Sequence, residues 1–318
     1  MAREQEPEHE CVVVGHELIA SDVVRVTLES ADERPLGPWE PGAHVDLLLD
    51  GGTLVRQYSL CGNPQEPARW QIAVLRTPDS RGGSNAVHDE LSVGSTLRVR
   101  GPRNAFALEG SARYRFIAGG IGITPILPMI EALETAGADW SLVYGGRTRA
   151  AMAFLDRLEP FGHRVRLVPE DELGRIDMAE SLAIDDQTLV YCCGPSGLLD
   201  AVTDRAASVA PGRLRIERFA ASPVESGETG GTFDVVLQRS GKILHIGPDQ
   251  SILDACLAAG VDVPCSCTEG ICGTCETDVL EGVPLHRDHL LSPEERASNS
   301  TMMVCVSRAL SDRLVLDL

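Results

Sequence analysis

The sequence predicts a multidomain fold with an antiparallel β-barrel first, an α/β domain with a parallel sheet second, and a small α+β domain last. Two changes of pattern along the 318 residues support this prediction. Short alternating runs broken by Pro and Gly give way to strands that alternate with helices. A stretch rich in Gly, Ser and Glu then precedes the last segment and is typical of a solvated linker. We expect domains at 1–110, 111–221 and 232–318, with the linker at 222–231.

The composition is that of an acidic globular protein. Lys and Arg number 28 against 47 Asp and Glu, which gives a formal net charge of −19. Phosphate backbones and anionic lipid headgroups repel such a chain, so nucleic-acid and membrane-surface proteins are disfavoured. The first residues lack the pattern of a secretory signal, and ten cysteines without a signal favour reduced thiols or a metal site. We therefore expect a cytoplasmic protein.

Two motifs mark the barrel. Its strands are predicted at Val23–Leu28, His44–Leu49, Trp70–Leu75 and Thr96–Val99. The tetrapeptide Arg56-Gln-Tyr-Ser59 is expected to follow a strand, and it offers a guanidinium fork for a phosphate, an aromatic edge and a hydroxyl. A strand with an exposed Arg and a packed Tyr would look the same. The small residues of Arg81-Gly-Gly-Ser84 precede a predicted helix at Asn85–Leu91, which indicates either a phosphate cradle or a turn.

The second domain carries two candidate binding loops. The loop Gly119–Pro125 joins a buried strand to an apolar helix, where a backbone can approach a pyrophosphate closely. Cys193-Gly-Pro follows a later strand, and its thiol is either a core or a functional group. The strands are predicted at Tyr114–Ala118, Ser141–Tyr144, Val165–Val168 and Thr188–Cys192, and the helices at Ile126–Ala136, Met152–Leu158 and Gly197–Ala207.

The last domain carries the most specific pattern. A hairpin is predicted from Phe233 to Ile246, and a helix is predicted to begin at Ser251. The spacing C-x4-C-x2-C with a distant fourth cysteine is that of plant-type [2Fe–2S] proteins, in which soft thiolates bind both irons. A zinc site is the alternative, but it usually has paired C-x2-C motifs. Cys265 does not fit the spacing and is interpreted as a bystander; the predicted ligands are Cys267, Cys272, Cys275 and Cys305.

These motifs together resemble the ferredoxin–NADP reductase superfamily over nearly the whole chain. Their order is similar to that in phthalate dioxygenase reductase and the vanillate demethylase reductases. The resemblance implies a flavin-binding β-barrel, a nicotinamide-binding α/β domain and a C-terminal β-grasp ferredoxin domain. It also implies FMN rather than FAD, together with NADH and a [2Fe–2S] cluster, as cofactors.

The resemblance also assigns roles to individual residues. Ser59 is expected near the flavin N5, Cys193 at the nicotinamide and Phe219 over the flavin, which makes these three the expected catalytic residues. The FMN-binding residues implied are Arg56, Tyr58, Ser59, Arg81, Gly82, Gly83 and Ser84, with Phe219. Those implied for the nicotinamide site are Gly120, Thr124, Arg147, Cys193 and Gly194.

Three further residue groups have interpretations of their own. Glu170 and Asp171 follow the third strand of the second domain, where an acid can bind a ribose 2′-hydroxyl and repel a 2′-phosphate, so NADH is the expected coenzyme. Arg147 and Arg149 are the counter-argument, since they could pair with a 2′-phosphate. Glu217 is either a flavin contact or a surface acid. The loop with His286 and His289 is expected to be solvated.

The expected function is electron transfer from NADH through FMN and the cluster to a terminal oxygenase. That oxygenase is either a Rieske-type demethylase or hydroxylase or a cytochrome P450. The reductase is expected to be a monomer with an acidic docking face on its last domain, since 15 acidic and 6 basic residues lie in 224–318. The alternatives are a stand-alone NADH oxidase or diaphorase and a zinc-binding adaptor without enzymatic activity.

Overall fold

The structure, a computed structural model, describes residues 7–32, 34–77, 82–220 and 231–318. The chain divides into two compact units, Met1–Arg218 and Phe219–Leu318. Residues 222–230 of the predicted linker, and Arg81, lie outside the described residues. Within the described part of the chain, no helix has the length and hydrophobicity that a bilayer crossing requires.

The first unit begins with a closed antiparallel sheet, which confirms the predicted barrel. Its strand order is β4-β3-β6-β1-β2-β5, and a bridge between Leu60 and Ile72 joins the two ends of the sheet. The alternating apolar residues point inward around Trp70, which is fully buried. The elements are β1 (Glu8–Ala20), β2 (Val23–Ser30), β3 (His44–Leu49), β4 (Leu54–Ser59), β5 (Arg69–Leu75), α1 (Gly83–Asp89) and β6 (Thr96–Arg103).

Two expectations about the barrel were incomplete or wrong. The long strand β1 was not predicted, because its pairing with β2 shifts register at Val13–Gly15 and Leu18–Ala20 and so breaks the alternation. The motif that begins at Arg56 does not follow a strand but lies within β4. Its side chains are therefore held by the pairing of β4 with β3.

The second half of this unit is a five-stranded parallel sheet, as predicted. The strand order is β11-β10-β7-β8-β9, so the carboxyl ends of all strands meet at one edge. The elements are β7 (Arg113–Gly119), α2 (Ile123–Thr135), β8 (Asp139–Gly146), α3 (Leu155–Leu158), β9 (Val165–Pro169), α4 (Glu170–Leu173), α5 (Met178–Ser181), β10 (Thr188–Cys193), α6 (Ser196–Val209) and β11 (Leu214–Glu217).

The prediction of a helix at Met152–Leu158 had the wrong bounds. A short 3₁₀ turn covers Arg149–Ala151, and α3 begins only at Leu155. Between them Phe154 has a φ of 62°, a left-handed conformation that cannot continue a right-handed helix. Phe154 is buried, so core packing outweighs its local helical preference.

The barrel and the parallel sheet share one hydrophobic core. A single cluster contains Cys61 and Phe106 from the barrel half together with Phe116 and Tyr191 from the sheet. The Tyr191 hydroxyl accepts the N–H of Glu109 at 2.8 Å and donates to the Ala107 carbonyl at 3.0 Å. These contacts make the first unit one packed body.

The second unit is a mixed sheet with short helices, in agreement with the predicted α+β class. Its strand order is β13-β12-β18-β14-β16, with β12 and β18 parallel. Ser251 caps α7 by accepting the N–H of Asp254 at 3.0 Å. The elements are β12 (Phe233–Leu237), β13 (Lys242–Ile246), α7 (Ile252–Ala258), β14 (Glu276–Glu281), β15 (Pro284–Leu285), α8 (Pro293–Ser298), β16 (Thr301–Met303), β17 (Arg308–Ala309) and β18 (Arg313–Leu316).

Candidate active site and cysteine loop

The barrel brings Arg56 of β4 against the glycines that begin α1. A Cβ placed on Gly83 would lie 2.4 Å from the Arg56 Cγ, so only glycine permits this approach. Gly82 precedes the helix with a φ of 91°. The Ser84 hydroxyl accepts the N–H of Thr77 at 3.3 Å. A guanidinium beside free helix N–H groups is a donor set suited to a phosphate monoester such as that of FMN.

Tyr58 and Ser59 occupy the last positions of the same strand. Ser59 is buried, and burial raises the pKa of the Tyr58 phenol to about 12. The phenol therefore stays neutral and can act only as a hydrogen-bonding and packing group near a flavin ring. Both side chains remain predicted flavin contacts.

The glycine loop after β7 lies directly against the end of β10. A Cβ on Gly122 would lie 2.3 Å from the Cys193 carbonyl oxygen, and one on Gly194 would lie 3.0 Å from Gly119. Gly120 has a φ of 54° and faces open space. The Thr124 hydroxyl donates to the Ile121 carbonyl at 3.0 Å and so ties the loop to the start of α2. This edge offers backbone N–H groups and room for a pyrophosphate.

Three polar side chains from distant parts of the chain meet at this edge. The Ser59 hydroxyl donates to Oε2 of Glu217 at 3.4 Å. The Cys193 thiol donates to the same oxygen at 3.9 Å. Ser59 ends β4, Cys193 ends β10 and Glu217 ends β11, so the barrel and the sheet each supply part of the group.

The electrostatics of this group follow from burial. Burial raises the pKa of the Glu217 carboxyl to about 8, against the lowering effect of the two hydrogen bonds. Burial and the neighbouring Glu217 both raise the pKa of the Cys193 thiol well above its ordinary value. The thiol is therefore neutral and no nucleophile, while the carboxyl keeps its proton at neutral pH. A titratable carboxyl at a strand end is a frequent feature of functional sites.

Glu170 and Asp171, the acids predicted to favour NADH over NADPH, lie on α4, directly after β9. Asp171 donates its backbone N–H to the Arg147 carbonyl at 3.2 Å, so these two residues are neighbours. The Arg147 side chain is exposed. Arg149 lies 3.5 Å from Glu172, an ion pair that draws this guanidinium toward an acid.

The cysteine loop gathers the four predicted ligands as two pairs. A hydrogen bond from the Cys267 thiol lowers the pKa of Cys272 to about 6, and one from Cys305 lowers the pKa of Cys275. The donor thiols Cys267 and Cys305 have raised pKa values for the same reason. The two pairs also interact electrostatically, since Cys272 acts on Cys275 and Cys267 acts on Cys305.

This arrangement fits a two-iron cluster. Four sulfurs in two adjacent pairs would hold such a cluster through thiolates, and three of the four cysteines are buried. The backbone N–H of Glu269 donates to the Cys267 sulfur at 3.3 Å, a bond that stabilises a thiolate. Thr268 has a φ of 57°, which shows how sharply the loop turns. Cys265 packs against the apolar core of the unit.

The remaining predicted residues have mixed outcomes. Phe219 is 41 % exposed and is the first residue of the second unit, so its place over a flavin stays a prediction. Arg81 lies outside the described residues. The expectation of a solvated loop at His286 was wrong, since its side chain is only 8 % exposed and lies 3.7 Å from the buried Asp288.

Glu217 is the site residue that the sequence left undecided. It lies two residues before the proposed flavin aromatic Phe219, and this proximity was the available signal. Its partners Ser59 and Cys193 lie 158 and 24 residues away in the chain, so no local pattern joins them.

The domains match two protein families. Residues 116–204 match the oxidoreductase NAD-binding domain, and residues 235–310 match the 2Fe-2S iron-sulfur cluster binding domain. The phenoxybenzoate dioxygenase subunit beta of Ectopseudomonas oleovorans is 45 % identical over 94 % of both chains. A vanillate O-demethylase oxidoreductase of a Pseudomonas strain is 41 % identical over 97 % of this chain and 99 % of its own.

Solved structures agree with these relatives. Phthalate dioxygenase reductase matches with a TM-score of 0.72 and 36 % identity, and 98 % of each chain is covered. An intact type IV self-sufficient cytochrome P450 monooxygenase matches all of this chain with a TM-score of 0.90 and 44 % identity, although this chain spans only 42 % of that one. The chain belongs to the family of oxygenase reductases that includes phthalate dioxygenase reductase and the vanillate O-demethylase oxidoreductases.

Proposed function

We propose that this protein is an NADH-dependent reductase that passes electrons through FMN and a [2Fe–2S] cluster to a terminal oxygenase of the Rieske type. The observation that carries the proposal is the meeting of Ser59, Cys193 and Glu217 where the barrel joins the carboxyl edge of the nicotinamide sheet. When bound, the flavin and the cluster convert a two-electron hydride transfer into single-electron steps. The chain contributes binding, orientation and electrostatics.

In this proposal the first unit positions the reacting rings. Arg56 and the N–H groups of Gly82, Gly83 and Ser84 hold the flavin phosphate, while Tyr58 and Ser59 contact the ring. Gly120, Thr124 and Gly194 hold the dinucleotide, and the Cys193 thiol lies beside the nicotinamide. Holding two reactants in such a geometry lowers the barrier, because the entropy of bringing them together is lost on binding and not in the reaction step.

Glu217 keeps this site neutral. With a pKa of about 8, its carboxyl retains a proton at pH 7. It accepts from the Ser59 hydroxyl and the Cys193 thiol, and so fixes the direction in which both point. A neutral group here avoids repelling the negative charge that arrives with a hydride.

NADH is the proposed coenzyme in preference to NADPH. Glu170 and Asp171 lie where the adenosine ribose is expected, and carboxylates there accept from a 2′-hydroxyl and repel a 2′-phosphate. The pairing of Arg149 with Glu172 supports this preference, because it weakens the attraction of that guanidinium for a phosphate.

A cytochrome P450 is the second candidate for the acceptor. The match of the whole chain to part of a self-sufficient P450 monooxygenase favours it. The relatives that carry a dioxygenase or demethylase name favour the Rieske type.

We further propose that the protein is a monomer of the cytoplasm, where NADH is available and thiols stay reduced.

The decisive experiment is an anaerobic titration of the purified holoprotein with NADH, followed by visible absorption and electron paramagnetic resonance. We expect bleaching of a flavin and an iron–sulfur chromophore by stoichiometric NADH. A colourless protein that contains zinc would contradict the proposal. Addition of purified Rieske-type oxygenase or P450 to the reduced protein then identifies the acceptor, and equal oxidation by dioxygen alone would favour a stand-alone oxidase.

A further inference from the structure

The segment 286–291 lies against the middle of the cysteine loop. The backbone N–H of His289 donates to the Gly270 carbonyl at 2.9 Å. A Cβ on Gly270 would lie 3.1 Å from the Asp288 Cα, and Gly270 has a φ of 69°. Gly270 lies between the ligands Cys267 and Cys272, so the segment supports the loop at its centre.

Asp288 shapes this segment. It is 2 % exposed, and its Oδ2 accepts the N–H groups of Leu290 at 3.1 Å and Leu291 at 2.8 Å. Arg296 of α8 donates to the Asp288 carbonyl at 2.5 Å and to the Leu291 carbonyl at 3.0 Å. Oδ1 of Asp288 has no hydrogen-bond partner in the described part of the chain, and His286 Nδ1 lies 3.7 Å from it.

The other side of Gly270 faces the ligands. The Glu269 N–H donates to the Cys267 sulfur at 3.3 Å, and the backbones of Gly270 and Ile271 lie close to Cys305 and Cys267. The backbone of residues 269–271 therefore runs beside two of the predicted ligands. Hydrogen bonds to the ligand sulfurs are among the factors that set the reduction potential of an iron–sulfur cluster, since they stabilise the added negative charge.

We propose that Asp288 is a positioning residue that sets the potential of the cluster. Together with Arg296 it holds the segment 286–291 against Gly270, and thereby keeps the backbone of residues 269–271 beside the sulfurs, with the Glu269 N–H directed at Cys267. The inference rests on the proposed function in that the chain must bind the cluster. The wild-type absorption and resonance spectra test that condition separately.

The test compares two variants that lose the same charge. Asp288→Asn keeps an oxygen that accepts the N–H groups of Leu290 and Leu291, whereas Asp288→Ala keeps neither the charge nor an acceptor. The midpoint potential of the cluster is measured in the full-length holoprotein by redox titration with electron paramagnetic resonance. We expect the potential of the Ala variant to lie below that of the Asn variant by about 59 mV, a tenfold change in a one-electron equilibrium.

Equal potentials in the two variants, or a higher potential in the Ala variant, would overturn the proposal, because loss of the hydrogen-bond acceptor would then not lower the potential of the cluster. Glu294→Gln, which removes an exposed acid near the same segment, is the control and should leave the potential unchanged. If the Ala variant does not assemble a cluster, the midpoint potential of the Arg296→Lys variant tests the proposal instead. It keeps the positive charge but loses the two-point contact, so a lowered potential supports the proposal and an unchanged one overturns it.

Discussion

The carboxyl edge of the parallel sheet, where we propose that the nicotinamide binds (the nicotinamide edge), and the cysteine loop are built in opposite ways. The edge is assembled from three strand ends, and the hydrogen bond from Ser59 to Glu217 joins residues 158 positions apart. The loop takes three of its four predicted ligands from nine consecutive residues, Cys267–Cys275. A site made of strand ends depends on the whole unit being folded, whereas a loop site depends mainly on its own turn geometry and on the one distant ligand, Cys305.

The largest expected effect on this difference between the two sites is that of the Cys272→Ser substitution. We expect the variant to lose the cluster and all electron delivery to the oxygenase, because a hydroxyl is a poor ligand for the soft iron–sulfur core. NADH-dependent reduction of a dye through the flavin should remain near the wild-type rate, since the second unit is a separate compact body. Iron content, flavin content and dye activity are the measurements.

Cys256→Ser is a matched control, because this buried cysteine belongs to the core and not to the ligand set. It should keep the cluster. Loss of flavin along with the cluster in Cys272→Ser would show that the two sites do not fold independently.

The second test concerns the coenzyme acids at the nicotinamide edge. Replacement of Glu170 and Asp171 by Gln and Asn removes the charge that repels a 2′-phosphate. We expect the ratio of kcat/KM for NADH to that for NADPH to fall by about tenfold. Asp186→Asn, an exposed acid of the same half, should leave the ratio unchanged. Similar ratios for the double variant and the wild type would place the discrimination elsewhere.

The third test uses the pH dependence of Glu217. Below about pH 8 the carboxyl is protonated and neutral, and above it the group ionises. The rate of flavin reduction by NADH should therefore fall by roughly tenfold above that pH, as negative charge appears where the hydride arrives. In Glu217→Gln the profile should be flat over this range.

Stopped-flow absorbance at a series of pH values measures this rate. Glu159→Gln, at an exposed position, should keep the wild-type profile. The same fall with pH in Glu217→Gln would assign the titration to another group.

The smallest expected effect is that of salt on docking. The residues 224–318 carry 15 acidic and 6 basic side chains, so complementary charge on the oxygenase should speed the encounter. The rate of oxygenase reduction should fall by roughly fivefold as salt shortens the screening length below about 10 Å. NADH-to-dye activity is the internal control. A partner rate that is independent of salt would leave solubility as the reason for the acidic surface.

The difference between a site made of strand ends and a site made of one loop also explains what could be predicted from the sequence. The cysteine spacing is local, so a set of four ligands could be predicted from it directly, and that set stays a prediction. Glu217 could not be assigned, because β11 has only four residues and reaches β10 through the crossover helix α6. The burial of His286 was missed for a similar reason, since it depends on tertiary packing that no pattern within the segment records.

The shared core of the first unit has a consequence for protein engineering. Cys61 and Phe106 pack in the same cluster as Phe116 and Tyr191. Arg157 adds a bond from α3 to the Cys61 carbonyl at 2.7 Å. A fragment cut near residue 110 would expose this core and aggregate, so the barrel and the parallel sheet must be exchanged between reductases as one cassette. The cassette that can be transplanted ends at Arg218, and its heat denaturation should be a single calorimetric transition.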